Sequence, residues 1–96
     1  MQLVKVMGSI VSTQKSHSLT GKKLLLVQAA HPSGEVNANC RLEVAIDSVG
    51  AGDGELVLVT RGSSARMVLD DSHSAADLCI VAIVDSISCS EMPANQ

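Results

Sequence analysis

The chain contains no Phe, Tyr or Trp among its 96 residues. Its core must therefore be built from Val, Leu, Ile, Ala and Met, and it offers no ring on which a base or a sugar can stack. Positive charge is also scarce: seven Lys and Arg stand against ten Asp and Glu, a formal net charge of −3. That balance gives no attraction for nucleic acid or for an anionic membrane surface, and neither partner is expected. Long apolar runs are missing. The longest, Leu24–Val27, Leu56–Val59 and Leu78–Val84, are strand-sized and well short of the ~18–20 residues a spanning helix needs. The opening Met-Gln-Leu-Val-Lys-Val has no basic segment leading into an apolar one, so no secretory signal is read. Cysteine is limited to Cys40, Cys79 and Cys89, an odd number with no C-x-x-C pair. These read as reduced thiols, two of them half-buried in strands, in a cytoplasmic protein.

Against these absences, apolar residues make up 46% of the chain and the mean hydropathy is positive. A single domain of this size buries only about two-thirds of the surface of its unfolded chain. The apolar surplus therefore calls for burial between subunits.

Period-two patterning dominates. Residues 2–12 alternate, with Val4, Val6, Gly8 and Ile10 on one face, which predicts a first strand. Gly8 within it marks a bulge or bend of the kind a barrel corner needs. A polar loop from Thr13 to Gly21 leads to a second strand over Lys23–Ala30, apolar enough to be covered on both sides. Pro32-Ser33-Gly34 is a turn signal, prolonged by Asn37–Asn39, because Pro presets φ and Gly supplies the positive φ. A third strand, Arg41–Val49, is expected to turn Leu42, Val44 and Ile46 inward and Arg41, Glu43 and Asp47 outward. Glu55–Arg61 and Leu78–Ile87 are a fourth and a fifth strand. Between them Ser63 or Ser64 is placed to cap a short helix through Leu69, followed by a polar loop over Asp70–Ala76. The expectation is an all-β domain over residues 1–88, a small five-stranded OB-like barrel with one short helix. Residues 89–96 form an extended or frayed tail.

The stretch that needs a function is Asp47–Arg66. Gly50, Gly52 and Gly54 crowd one loop, and Gly62-Ser63-Ser64-Ala65-Arg66 follows one strand later. Such a loop holds a phosphate, makes a tight strand connection or packs against another chain. The phosphate motifs need a helix to begin at the loop. Here a strand follows, no Lys does, and Asp53 and Glu55 repel anions. His17, His31 and His73 lie in polar loops with no second ligand at metal-binding spacing, so neither a metal nor a cofactor is expected. Ser64, His73 and Asp77 can be drawn as a triad, but the sequence around Ser64 lacks the Gly-x-Ser-x-Gly elbow and a chain this short has little cleft. Asp70 and Asp71 read as solvated charge. No catalytic group remains. Arg66 is suited to a bidentate pair with Asp47, Glu55 or Asp77, within the subunit or across an interface.

These residues resemble the bacterial microcompartment vertex family, the small shell proteins of carboxysomes and metabolosomes. The resemblance is carried by Asp47-x-x-Gly50-Ala51-Gly52-x-Gly54-Glu55-x-Val57-Leu58 and by Gly62-Ser63-Ser64-Ala65-Arg66. Thr13-Gln14-Lys15, Lys23-Leu24-Leu25, Asp77 and Ile83-Val84-Asp85 support it. It implies an OB-like barrel without enzymatic activity, assembled as a cyclic pentamer that caps shell vertices beside hexameric shell proteins, with a narrow pore on the five-fold axis. It also implies that Asp47, Gly50, Ala51, Gly52, Gly54, Glu55, Gly62, Ser63, Ser64, Ala65 and Arg66 lie at subunit contacts or at the pore rim. A modest angular change closes the same wedge with six subunits, so a hexamer in crystals is an alternative. The rival function is an OB-fold module binding oligonucleotide or a small ligand, which the missing aromatics and the negative charge argue against.

Overall fold

The computed structural model describes residues 1–11, 21–62 and 78–90. The expected helix from Ser63 or Ser64 to Leu69, the loop over 70–76, most of the loop at 13–21 and the last six residues lie outside these.

Strand β1 spans Gln2–Ile10, β2 Lys23–Ala29, β3 Leu42–Asp47, β4 Leu56–Arg61 and β5 Leu78–Ile83. They close into a barrel in the order β1-β2-β3-β5-β4. Every neighbouring pair is antiparallel except β3 and β5, which run parallel through Ile46–Cys79 and Asp47–Ile80. This is the five-stranded Greek-key barrel of an OB-like fold, closed by the short parallel seam between β3 and β5.

The core forms because alternate residues of each strand meet on the barrel axis. Val4 and Val6 of β1, Leu25 and Val27 of β2, Ala45 of β3, Val57 and Val59 of β4, and Leu78 and Ile80 of β5 make one buried cluster, joined by Ala51 from the glycine loop. Aliphatic side chains of this size fill a narrow barrel without rings.

The bend expected near Gly8 is present as a register shift between Val6 and Gly8, which makes Met7 the extra residue. Before it, β1 pairs with both β2 and β4; after it, β1 follows β2 through Ile10–Leu24. The bulge is thus the corner at which β1 parts from β4. The Pro32-Ser33-Gly34 signal forms a turn in which the Gly34 N–H donates to the carbonyl of His31 at 2.8 Å. Gln28 Nε2 donates to the Cys40 carbonyl at 2.8 Å and folds the rest of that loop back on β2.

The facing of β3 differs from the sequence expectation. Ala45 is the residue turned to the core, opposite Leu25, while Leu42 and Val44 are 49% and 48% exposed. Ile46 is buried, but its register partner Leu24 puts it on the outer face. Glu43, opposite Val27, and Asp47, opposite Lys23, take the inner face where they were expected to point outward. Alternation reveals that a strand has two faces without saying which is inner. At the ends of a small barrel the inner face opens onto the mouths and can hold charge. The cysteines also differ from expectation: one, Cys79, lies in a strand and is wholly buried, Cys40 is half-buried in the turn before β3, and Cys89 is exposed beyond β5. β5 is shorter than the apolar run suggested, ending at Ile83.

Candidate functional site

The glycine loop, residues 48–55, crosses one end of the barrel, and four elements hold it. Asp47 closes β3, and its Oδ1 accepts the backbone N–H groups of Val49 and Gly50, each at 3.0 Å. From β2, Lys23 Nζ donates to the Ala51 carbonyl at 3.3 Å and lies 3.9 Å from Asp47 Oδ2. From β1, Val6 makes a two-way backbone pair with the loop: its N–H donates to the Glu55 carbonyl at 2.9 Å and its carbonyl accepts from Gly54 at 2.8 Å. At the start of the loop, Ser48 Oγ donates to the Ile80 carbonyl of β5 at 2.5 Å, extending the short parallel seam.

Inside the loop, Glu55 Oε1 accepts the Gly52 N–H at 2.6 Å and the Glu55 N–H returns to the Gly52 carbonyl at 3.2 Å. Gly50 and Gly54 both sit at φ +83, a region L side chains enter only with strain. Between them Ala51, 1% exposed, drops its methyl into the core and pins the loop over the mouth.

This wiring has a chemical consequence. A phosphate cradle needs backbone N–H groups aimed outward with no acceptor of their own. Here the amides of Val49, Gly50, Gly52 and Gly54 are all spent on Asp47, Glu55 and Val6. Two of the three acceptors are carboxylates, so an incoming anion meets negative charge. The loop is a closed structural connection that presents backbone to its surroundings.

A second polar group lies on the inner face at the end of β4. Arg61 Nη1 donates to Glu43 Oε2 at 3.0 Å and Nη2 to Glu43 Oε1 at 3.3 Å, with a further bond from Nη2 to Gln2 Oε1 at 3.1 Å. The fork-shaped guanidinium meets the planar carboxylate on both oxygens. It holds the Glu43 carboxyl below its ordinary pKa of 4.5, chiefly through the hydrogen bond. Among the described residues, no group of three His, Cys, Asp or Glu converges in a metal-binding arrangement.

The structure gathers Asp47, Gly50, Ala51, Gly52, Gly54 and Glu55 into one loop. The Asp47 side chain and Ala51 are buried and serve the loop from beneath, while Gly50, Gly52, Gly54 and Glu55 are exposed. Gly62 follows β4 at φ +70, away from that loop in sequence. Ser63, Ser64, Ala65 and Arg66 lie outside the described residues.

Sequence reasoning singled out neither the part Lys23 plays nor the apolar outer face of β3. Lys23 meets its partners only because β2 and β3 pair Lys23 with Asp47, a register no local pattern reveals. Leu42 and Val44 share their outer face with Leu26 and Leu24 of β2. The hint for that face was the unexplained apolar surplus.

Comparison with known proteins places this arrangement. The family model described as "Ethanolamine utilisation protein EutN/carboxysome" matches residues 1–85. The chain belongs to this family. It is 56% identical over 91 residues to the bacterial microcompartment shell vertex protein PduN of Salmonella typhimurium, covering 93% of this chain and all of that one. It is 50% identical over 88 residues to the carboxysome shell vertex protein CcmL of Nostoc, covering 91% and 85%. Among solved structures, the pentameric microcompartment shell protein GrpN of Rhodospirillum rubrum superposes with a TM-score of 0.81 at 44% identity, covering 93% of this chain and 99% of that one. The family is one of structural shell proteins and not of enzymes. A loop whose Val49, Gly50, Gly52 and Gly54 amides are already bonded within the chain belongs naturally in it.

Proposed function

We propose that this protein closes a ring of five identical subunits that caps the vertices of a bacterial microcompartment shell in the cytoplasm. The observation that carries this reading is the likeness, over almost the whole of both chains, to a protein described as a pentameric shell protein. A cyclic pentamer is heterologous, one patch of each subunit meeting a different patch of the next. Two features suit such a contact. The glycine loop offers backbone and small residues for close approach, and the outer face of β3 leaves Leu42 and Val44 half exposed. At about 25 cal/mol per Å² of apolar surface, covering that face contributes a few kcal/mol at each contact.

In this reading Gly50, Gly52, Gly54 and Glu55, with Gly62, Ser63, Ser64, Ala65 and Arg66, meet the neighbouring subunit or rim a narrow opening on the five-fold axis. Asp47 and Ala51 shape the loop from within. The outer edge of the ring faces hexameric shell proteins.

Native mass spectrometry tests the ring, and electron microscopy of a deletion strain tests the role. A five-subunit mass, and shells that are elongated or unsealed without the protein, are expected. A monomer at micromolar concentration, or normal closed polyhedra in the deletion strain, overturns the proposal. Gly52→Val adds a test of location. Gly52 does not require positive φ, and a Cβ there meets only Glu55 Oε1, at 3.4 Å. A folded variant that loses the ring is therefore expected; a folded variant that keeps it removes the loop from the contact.

A further inference from the structure

We infer that Lys23 is a positioning residue for assembly, its ammonium clasping the glycine loop into the shape that meets a neighbouring subunit. This rests on the reading of that loop as a subunit contact.

Past Ser48, whose Oγ donates to the Ile80 carbonyl of β5, most ties on the loop are short-range or backbone connections. Val49 and Gly50 bond the side chain of the residue that precedes the loop, Asp47. Gly52 bonds Glu55 within it, and Gly54 and Glu55 bond the backbone of Val6. The Ala51 carbonyl, in the segment that has to pass over the barrel mouth, is held by one long side chain: Lys23 Nζ at 3.3 Å.

Among the described residues, the same ammonium is the cation placed at Asp47 Oδ2, 3.9 Å away. The Asp47 side chain is 1% exposed, whereas that of Lys23 is 57% exposed. A carboxylate so enclosed is costly to leave without a positive partner. Lys23 thus does two things from one position: it balances the buried carboxylate that organises Val49 and Gly50, and it fixes the carbonyl of the residue between Gly50 and Gly52. Two flexible glycines around Ala51 have many alternative conformations to lose. A contact built from them is strong only if that ordering precedes association, since each group ordered on binding subtracts from affinity.

The arrangement makes Lys23 separable from the fold. Its side chain lies on the surface, outside the buried cluster, so its charge can be removed without opening the core. Lys23→Gln keeps a hydrogen-bond donor and most of the length but no charge, and Lys23→Arg keeps the charge.

The test measures two things on the full chain: amide hydrogen exchange at Val49 and Gly50, and the concentration at which the ring half-dissociates, by sedimentation. Lys23→Gln is expected to accelerate exchange at both amides while Val57, Val59 and Ile80 keep their protection, and to raise the dissociation midpoint ~10-fold, or ~1.4 kcal/mol. Lys23→Arg is expected to restore both. Unchanged exchange in Lys23→Gln overturns the clasp and leaves the reading of the loop as a contact untouched. Faster exchange with an unaltered ring overturns the assembly role; a ring that also survives Gly52→Val then shows that the loop itself is not at the contact, whereas a ring lost in Gly52→Val shows that only the clasp is dispensable.

Discussion

Asp47 Oδ1 accepts the Gly50 N–H at 3.0 Å, and this one bond turns the end of β3 into the start of the glycine loop. The same oxygen takes the Val49 N–H, so one buried carboxylate oxygen organises two successive amides. Asp47→Ala removes the acceptor from both. The expected loss is about 1–2 kcal/mol, the net worth of two hydrogen bonds whose donors can turn to water instead. Asp47→Asn retains a carbonyl oxygen and is expected to lose less. Urea unfolding of the two variants checks the order, and equal losses would mean that the charge rather than the acceptor matters.

The loop glycines are not equivalent. Gly54 sits at φ +83 with no atom near a prospective Cβ, so Gly54→Ala is strained by backbone conformation alone, by ~1–2 kcal/mol. Gly52 carries no such constraint, and Gly52→Ala is expected to stay within ~0.5 kcal/mol of the parent barrel. Thermal melts at a concentration where the chain is monomeric compare them; Gly54→Ala should melt several degrees lower and Gly52→Ala should not.

Arg61 and Glu43 set a dependence on acid. The hydrogen bond from Arg61 lowers the Glu43 pKa below 4.5, so in the folded state the carboxylate holds its proton less tightly than in the unfolded chain. The resulting stabilisation is fully present above the unfolded pKa and is lost as pH falls through the lowered folded one. Both side chains are partly solvated, at 50% and 35% exposure, which limits the effect to ~0.2–1 kcal/mol. Relative to Glu43→Gln, the parent should hold its advantage above about pH 5 and lose it as pH falls through the lowered Glu43 pKa. A gap that is flat or widens over that fall contradicts the assignment.

The outer face of β3 provides a test of assembly away from the loop. Val44 is 48% exposed and stands beside Leu26. Val44→Lys is expected to leave the melting temperature of the dilute monomer nearly unchanged and to shift native mass spectra from rings to single chains. An intact ring in this variant would take the face out of the subunit contact.

The strands were legible because β-branched residues recur at period two and are bounded by glycine, proline and polar loops. The starts of β1, β2, β4 and β5 fall within a residue of where the pattern puts them. The turn at Pro32-Ser33-Gly34 and the corner near Gly8 were legible too, because each depends on one or two residues. The facing of β3 was not. Leu42, Val44 and Ile46 look like a core stripe, yet Ala45 is the core residue. An apolar outer face is indistinguishable from an inner one in sequence when a covered outer face is itself apolar.

Of the candidate site, the exclusion of phosphate was already written in Asp53, Glu55 and the strand that follows. The clasp by Lys23 was not, because it joins residues 28 positions apart through strand register.

By itself, the sequence determined that this is a small aliphatic β domain with surface to spare, no reactive centre and a glycine loop of family-specific pattern. These follow from composition, from local backbone preferences and from residue order, none of which requires knowing which strands meet. Tertiary structure alone decided that the amides of Val49, Gly50, Gly52 and Gly54 are already satisfied, that the Asp47 side chain is buried beneath the loop and that Lys23 reaches it. It also decided that Leu42 and Val44 face outward. All four depend on which residue stands opposite which around a closed barrel, and a shift of one position in that register would exchange every inner side chain for an outer one.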